Sequence, residues 1–154
     1  MQITVKRKAN APAADLWNYI ADFSNIHKFH PFLKSSHFIE GSNTCEVGSS
    51  RQCNFKDGSV FKETIKEWNE GSSYTIQAED STGRIKDATA SLGVTPIDSK
   101  TTEVYMKVEM TAANKLMQPM LYIMFKHKMV PAVLKSLEDL YHKDQKAAAT
   151  LELA

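Results

Sequence analysis

Residues 49–68, SSRQCNFKDGSVFKETIKEW, hold two alternating runs around Lys56-Asp57-Gly58 and read as a β-hairpin. A three-residue loop with Gly58 in the left-handed position sets Phe55 against Ser59, Cys53 against Phe61 and Arg51 against Glu63. One face then carries Arg51, Cys53, Phe55, Phe61, Glu63 and Ile65, and the other Gln52, Asn54, Val60, Lys62, Thr64 and Lys66. A two-residue Asp57-Gly58 loop instead sets Arg51 opposite Thr64 and mixes apolar with polar residues on both faces, so periodicity favours the first register. An arginine and a glutamate then stand opposite each other on the face that should be dry.

The rest of the middle of the chain is also strand. Phe38 to Glu40 leads into a Gly41-Ser42-Asn43 turn, and Tyr74 to Glu79, Ile85 to Thr95 and Thr102 to Thr111 alternate in the same way. Before them, a strand over Gln2 to Ala9 gives way to Asn10-Ala11-Pro12, a helix start with Asn10 as cap and Pro12 in the first turn. Leu16, Trp17, Ile20 and Phe23 form that helix's apolar stripe, and a second short helix over Ile26 to Phe29 stops at Pro31. The last element is a long helix from Asn114 to Lys146. Its core stripe is Leu116, Met120, Ile123, His127, Val130, Leu134, Leu137 and Tyr141, with Pro119 in its first turn and Pro131 kinking its middle.

This order implies an α+β fold in which a curved antiparallel sheet of six or seven strands wraps a long C-terminal helix, with two short helices after the first strand. Residues 1–146 form one domain. The tail 147–154 is low in complexity and reads as a frayed or disordered helix end or a vector remnant, without an assigned role. A bent sheet gripping a kinked helix leaves a space between them, and that space is the candidate site.

The 154 residues are 42% hydrophobic and 24% charged, with 19 basic and 18 acidic side chains. That composition suits a globular domain and excludes disorder, collagen-like repeats and disulfide scaffolds. A net charge of +1 leaves no electrostatic footprint for nucleic acid. The N-terminus has no apolar run of a signal peptide and no stretch is long enough to span a bilayer, so the expected compartment is the cytoplasm. Cys45 and Cys53 are expected as free thiols.

A buried Arg51–Glu63 pair is costly to desolvate and gains little stability, which points to ligand orientation or proton transfer. It also reads as a satisfied structural ion pair or a rim salt bridge. Tyr74, in phase with Ile76 and Ala78, brings a phenol to the same space. Apolar walls are expected from Trp17, Phe32, Phe55, Phe61, Ile65, Ile76, Met106, Met120, Met124 and Leu134, and a methionine-rich lining adapts to varied apolar ligands. His127, on the core stripe, is either a core histidine or a ligand contact. His27, His30 and His37 have spacings open to zinc, but no carboxylate or thiol falls nearby at ligand spacing, so no metal and no cofactor is assigned.

The segments Ala11-Pro12-Ala13-Ala14-Asp15-Leu16-Trp17, Asp22-Phe23-Ser24-Asn25, Phe29-His30-Pro31-Phe32, Gly48-Ser49-Ser50-Arg51, Asp57-Gly58-Ser59-Val60-Phe61-Lys62-Glu63 and Tyr74-Thr75-Ile76 give the chain a family likeness. It resembles the START-related helix-grip superfamily of polyketide cyclases/dehydrases and lipid transporters, which includes the birch-pollen-allergen-like proteins. Within it the chain is most similar to lachrymatory-factor-synthase-like members. There an Arg, a Glu and a Tyr at positions matched by Arg51, Glu63 and Tyr74 point into the cavity, and the Arg and Glu are implicated in proton movement. His30 departs from that pattern, standing where an aromatic such as Trp is common.

The resemblance implies a helix-grip fold and a cavity for a small hydrophobic or amphipathic ligand, anchored by Arg51, Glu63, Tyr74 and His127. The alternative is a cyclase, dehydratase or isomerase in which Glu63 shuttles a proton and Arg51 steadies an anion. Catalysis would need Glu63 desolvated and free, whereas binding would leave it locked to Arg51. A third reading, a co-chaperone-like docking module, asks for an exposed apolar patch in place of a deep cavity. The sequence leaves open the ligand and the choice between monomer and dimer.

Overall fold

The computed structural model describes residues 1–153. Seven strands form one antiparallel sheet: β1 (Gln2–Ala9), β2 (Leu33–Phe38), β3 (Ser50–Phe55), β4 (Val60–Asn69), β5 (Ser73–Asp80), β6 (Ile85–Pro96) and β7 (Thr102–Ala112). The spatial order is β1-β7-β6-β5-β4-β3-β2, so every neighbour from β2 to β7 is a consecutive strand and β1 closes the far edge. Helix α1 (Ala13–Ala21) and a 3-10 segment (Phe23–Lys28) connect the two edges. Helix α2 (Gln118–Met124), a π-helical turn (Phe125–Met129) and helix α3 (Val130–Leu153) follow the sheet. This is the α+β helix-grip arrangement.

Three bulges bend the sheet, at Leu33/Ser35, Ile65/Glu67 and Ile85/Asp87. The second has a further consequence. It turns Trp68 to the same face as Ile65, three residues earlier, where a regular strand would send it outward. Trp68 there joins Trp17, Phe23 and Tyr74 in one aromatic cluster.

Four local expectations need correction. Asn10 does not cap α1, whose first residue is preceded by Pro12 in extended conformation; its backbone N–H donates to Glu138 instead, at 2.7 Å. The second helical piece begins at Phe23, not Ile26, and is 3-10 in type. The strand expected over Phe38–Glu40 lies at Leu33–Phe38. Its bulge breaks the alternation, and its buried residues are Leu33 and Ser36; the Ser36 hydroxyl bonds His27 Nδ1 (2.7 Å) and donates to the Ser24 carbonyl (2.8 Å). Finally, α3 continues past Lys146 to Leu153, with its last turns exposed.

The expected core stripe of the last helix holds only in its second half. Val130, Leu134 and Leu137 are buried, but Leu116, Met120, Ile123 and His127 face solvent. The π-helical turn is the cause. Val130 N–H bonds to the Phe125 carbonyl five residues back, one residue more than an α-helical step. Tracing inward from Val130 therefore leads to Phe125 and Leu121 rather than to His127 and Ile123. Pro131, which cannot donate to an i−4 carbonyl, immediately follows this turn.

Glu138, not singled out by its spacing, fastens α3 to β1. Its carboxylate is buried and accepts from Arg7 Nε (3.0 Å), Arg7 Nη2 (2.8 Å) and the Asn10 backbone N–H (2.7 Å). These bonds hold its carboxyl below the usual range against the opposing effect of burial.

Candidate functional site

The hairpin adopts the three-residue loop. Gly58 has φ +90°, Gly58 N–H donates to the Phe55 carbonyl (3.1 Å), and Phe55 N–H donates to the Ser59 carbonyl (2.9 Å). Arg51 consequently faces Glu63 and Cys53 faces Phe61. Arg51 is 2% exposed.

The guanidinium is almost fully engaged. Nε donates to Glu63 Oε2 at 2.7 Å, Nη2 pairs with the same oxygen, and Nη1 donates to the Phe23 carbonyl (2.8 Å) and the Tyr74 phenol oxygen (3.3 Å). Its carbon lies 4.0 Å from the centre of the Phe23 ring, a cation–π contact. Burial alone would favour the neutral form of Arg51, but the Glu63 charge outweighs it and keeps the group firmly protonated.

Tyr74 is buried and clamped from both sides. Its ring stacks on Trp68 (5.5 Å, 4° between planes) and meets Phe23 edge-on at 5.5 Å. Trp68 is itself held by Glu70, which accepts from the indole N–H of Trp68 (2.7 Å) and of Trp17 (3.1 Å). Burial pushes the Tyr74 phenol up, so it stays a neutral O–H.

A chamber of about 80 Å³ lies between the inner face of the sheet and the helices, with Arg51, Glu63 and Tyr74 in its wall. Its other polar lining residues are His30 and Thr89, and the remainder is apolar, including Ile76, Leu92, Met106, Val108 and Val133. A wider vestibule of about 320 Å³ adjoins it, between the β3–β4 hairpin tip, the β5–β6 turn and α2. The two share Phe55, Phe61, Ile85, Phe125 and Met129, which form the neck between them. The volumes put the deep part below a drug-sized site and the outer part within the usual range.

Sequence-based candidates separate into three groups. Arg51, Glu63, Tyr74, Phe55, Phe61, Ile76 and Met106 line the chamber; Phe32, Met120 and Met124 line the vestibule. Ile65, Trp17 and Leu134 are buried behind the walls and line neither space. His127 is corrected outright: the π-helical turn rotates it to solvent, away from both spaces.

His30 is the site residue that spacing alone did not select. It is 8% exposed, lines the chamber, and meets Phe55 and Phe32 edge-on at 5.7 and 6.2 Å. Its Nδ1 is buried without a hydrogen-bond partner. Burial is the main cause that lowers its pKa to about 4; the Glu63 charge opposes the shift and that of Arg51 adds to it. His30 is therefore a neutral imidazole at pH 7. Its aromatic neighbours Phe29 and Phe32 were the available signal that this segment is interior. His27 bonds Ser36 and His37 is exposed on β2, so the three histidines share no common site. Cys45 and Cys53 are both free.

The family described as polyketide cyclase/dehydrase and lipid transport matches residues 1–141. A protein from Thermobifida fusca, solved in solution, is 23% identical; 92% of this chain and 93% of that one are covered, with a TM-score of 0.78. A START superfamily protein from Mycobacterium smegmatis is 13% identical over 92% of this chain and 97% of that chain, with a TM-score of 0.77. Norcoclaurine synthase from Thalictrum flavum, solved with dopamine and hydroxybenzaldehyde, is 14% identical over 93% and 87%, with a TM-score of 0.70. At these identities the likeness carries the fold and not the chemistry. No curated protein matches the chain in sequence.

Proposed function

The chain belongs to the polyketide cyclase/dehydrase and lipid transport family, and from that premise we propose that it binds a small hydrophobic or amphipathic molecule between sheet and helix. The observation that carries this reading is the chamber itself, apolar on most sides and opening through an aromatic neck into the vestibule. The ligand's apolar body occupies the vestibule and neck, and its polar end reaches Arg51, Glu63 and Tyr74. The flexible side chains of Met117, Met120, Met124 and Met129 fit such a molecule with few geometric demands.

Binding is favoured over proton-shuttling catalysis by the state of Glu63. One of its oxygens accepts from two nitrogens of Arg51, the locked arrangement of a structural anchor and not that of a free acid or base. The docking-module reading receives less support, since the apolar lining closes into a chamber, although Leu116, Met120 and Ile123 are exposed. Among the described residues no helix is long and apolar enough to cross a membrane.

Filling the chamber tests the proposal. Ala90, on β6, lines it, and an Ala90→Phe side chain would occupy its volume. Titration with an environment-sensitive apolar dye should show saturable binding to the native protein and at least a tenfold loss in Ala90→Phe. Unchanged dye affinity in a folded Ala90→Phe variant would remove the chamber as the site.

A further inference from the structure

We propose that the chamber selects uncharged ligands bearing a hydroxyl or carbonyl over carboxylates, and that His30 is the residue that recognises that group. The inference rests on the ligand-binding reading and adds the chemical class of the ligand.

The buried arginine makes an anionic ligand the first expectation, and its geometry removes it. Of the five N–H donors of a guanidinium, four contacts are already spoken for: two on Glu63, one on the Phe23 carbonyl and one on the Tyr74 oxygen. Glu63 also cancels the charge, so a second carboxylate brought into the chamber meets a neutral ion pair and one uncompensated carboxylate oxygen. Desolvating an anion there without a free cation is strongly unfavourable. No lysine lines the chamber; Lys56 and Lys128 stand only at the vestibule.

A neutral hydroxyl or carbonyl meets better partners. The Tyr74 oxygen accepts from Arg51, and no group among the described residues accepts its own proton. His30 lines the chamber, and its Nδ1 is buried and unpaired, a defect that native proteins rarely leave without a partner. Both groups line the same chamber and both are uncharged at neutral pH, so each can engage a hydroxyl or carbonyl without an ion being desolvated. The imidazole is held edge-on by Phe55 and Phe32, which fixes its plane and makes the contact directional.

The test is a matched pair of probes, 2-naphthol and 2-naphthoate, titrated at pH 7 by calorimetry and by backbone amide NMR. Native protein should bind 2-naphthol at least tenfold more tightly than 2-naphthoate, with amide shifts at residues of β3, β4 and the His30 segment. His30→Phe keeps the ring contacts and should lose about tenfold for the naphthol while leaving the naphthoate affinity unchanged. His30→Asn, which restores a polar group, should recover part of that loss, and Tyr74→Phe should weaken the naphthol through the missing O–H. Equal or tighter binding of 2-naphthoate, or a naphthol affinity indifferent to His30→Phe, would overturn the selectivity and leave the ligand-binding proposal standing. Failure of both probes, together with failure of the apolar dye, would remove the ligand-binding proposal and this inference with it.

Discussion

Arg51 and Glu63 sit opposite each other across β3 and β4, one fully enclosed and the other with its side chain 15% exposed, joined through a single carboxylate oxygen. The asymmetry matters. Arg51 has nowhere to send its charge if Glu63 is lost, whereas Glu63 can turn toward the chamber and water if Arg51 is lost.

Removing either partner should therefore be unequal in cost. Glu63→Leu leaves a buried, unpaired guanidinium and should destabilise the fold by about 3–5 kcal/mol. Arg51→Met, which also loses the bonds to Phe23 and Tyr74, leaves a Glu63 carboxylate that can turn toward water and should cost less, about 2 kcal/mol. The double variant Arg51→Met/Glu63→Leu should be more stable than Glu63→Leu alone. Urea midpoints at pH 7 measure all three, and additivity of the two single effects would show that the pair is not coupled.

The acid side of the stability profile should be shaped by His30. Its folded pKa of about 4 lies below the unfolded value near 6.5, so the unfolded chain binds the extra proton first as pH falls. The contribution is complete above pH 6.5 and is lost progressively down to about pH 4, amounting to about 3 kcal/mol. His30→Phe should remove that slope while folding at least as stably at pH 7, because an unpaired buried nitrogen disappears. Denaturant titrations between pH 4 and 7 would detect the difference; parallel profiles for the two proteins would contradict it.

Glu138 should produce a separate loss at lower pH. Its folded pKa is depressed, so its stabilisation is present above the unfolded value near 4.5 and disappears as pH falls through the lower folded one. Glu138→Gln should cost about 1.5–3 kcal/mol at pH 7 by weakening its bonds to Arg7 and the Asn10 N–H. Hydrogen exchange should localise the effect to β1 and the contact between β1 and α3. Uniform exchange changes across the whole sheet would argue against a local clasp.

The hairpin and the facing of Arg51 against Glu63 were legible because a strand's side-chain period is two, and one wrong register would bury lysines. Tyr74, Phe55, Phe61, Ile76 and Met106 followed from the same parity. Local sequence also carried the apolar face of α1 and the place of Pro119 in a helix's opening turn.

What the sequence could not carry were events that change a period midway. A bulge at Lys66 brought Trp68 inward, and one π-helical turn before Pro131 put Phe125 inward and His127 outward. Neither leaves a composition signal, because each is chosen by how well distant side chains pack. His30 belongs to the same class: its burial and its unpaired nitrogen come from the folding of Phe32 and Phe55 around it. Alternation along the chain thus determined the sheet and the charged pair on its inner face. Only tertiary packing decided how large the space above that pair is, which helix residues close it, and that a neutral histidine shares it.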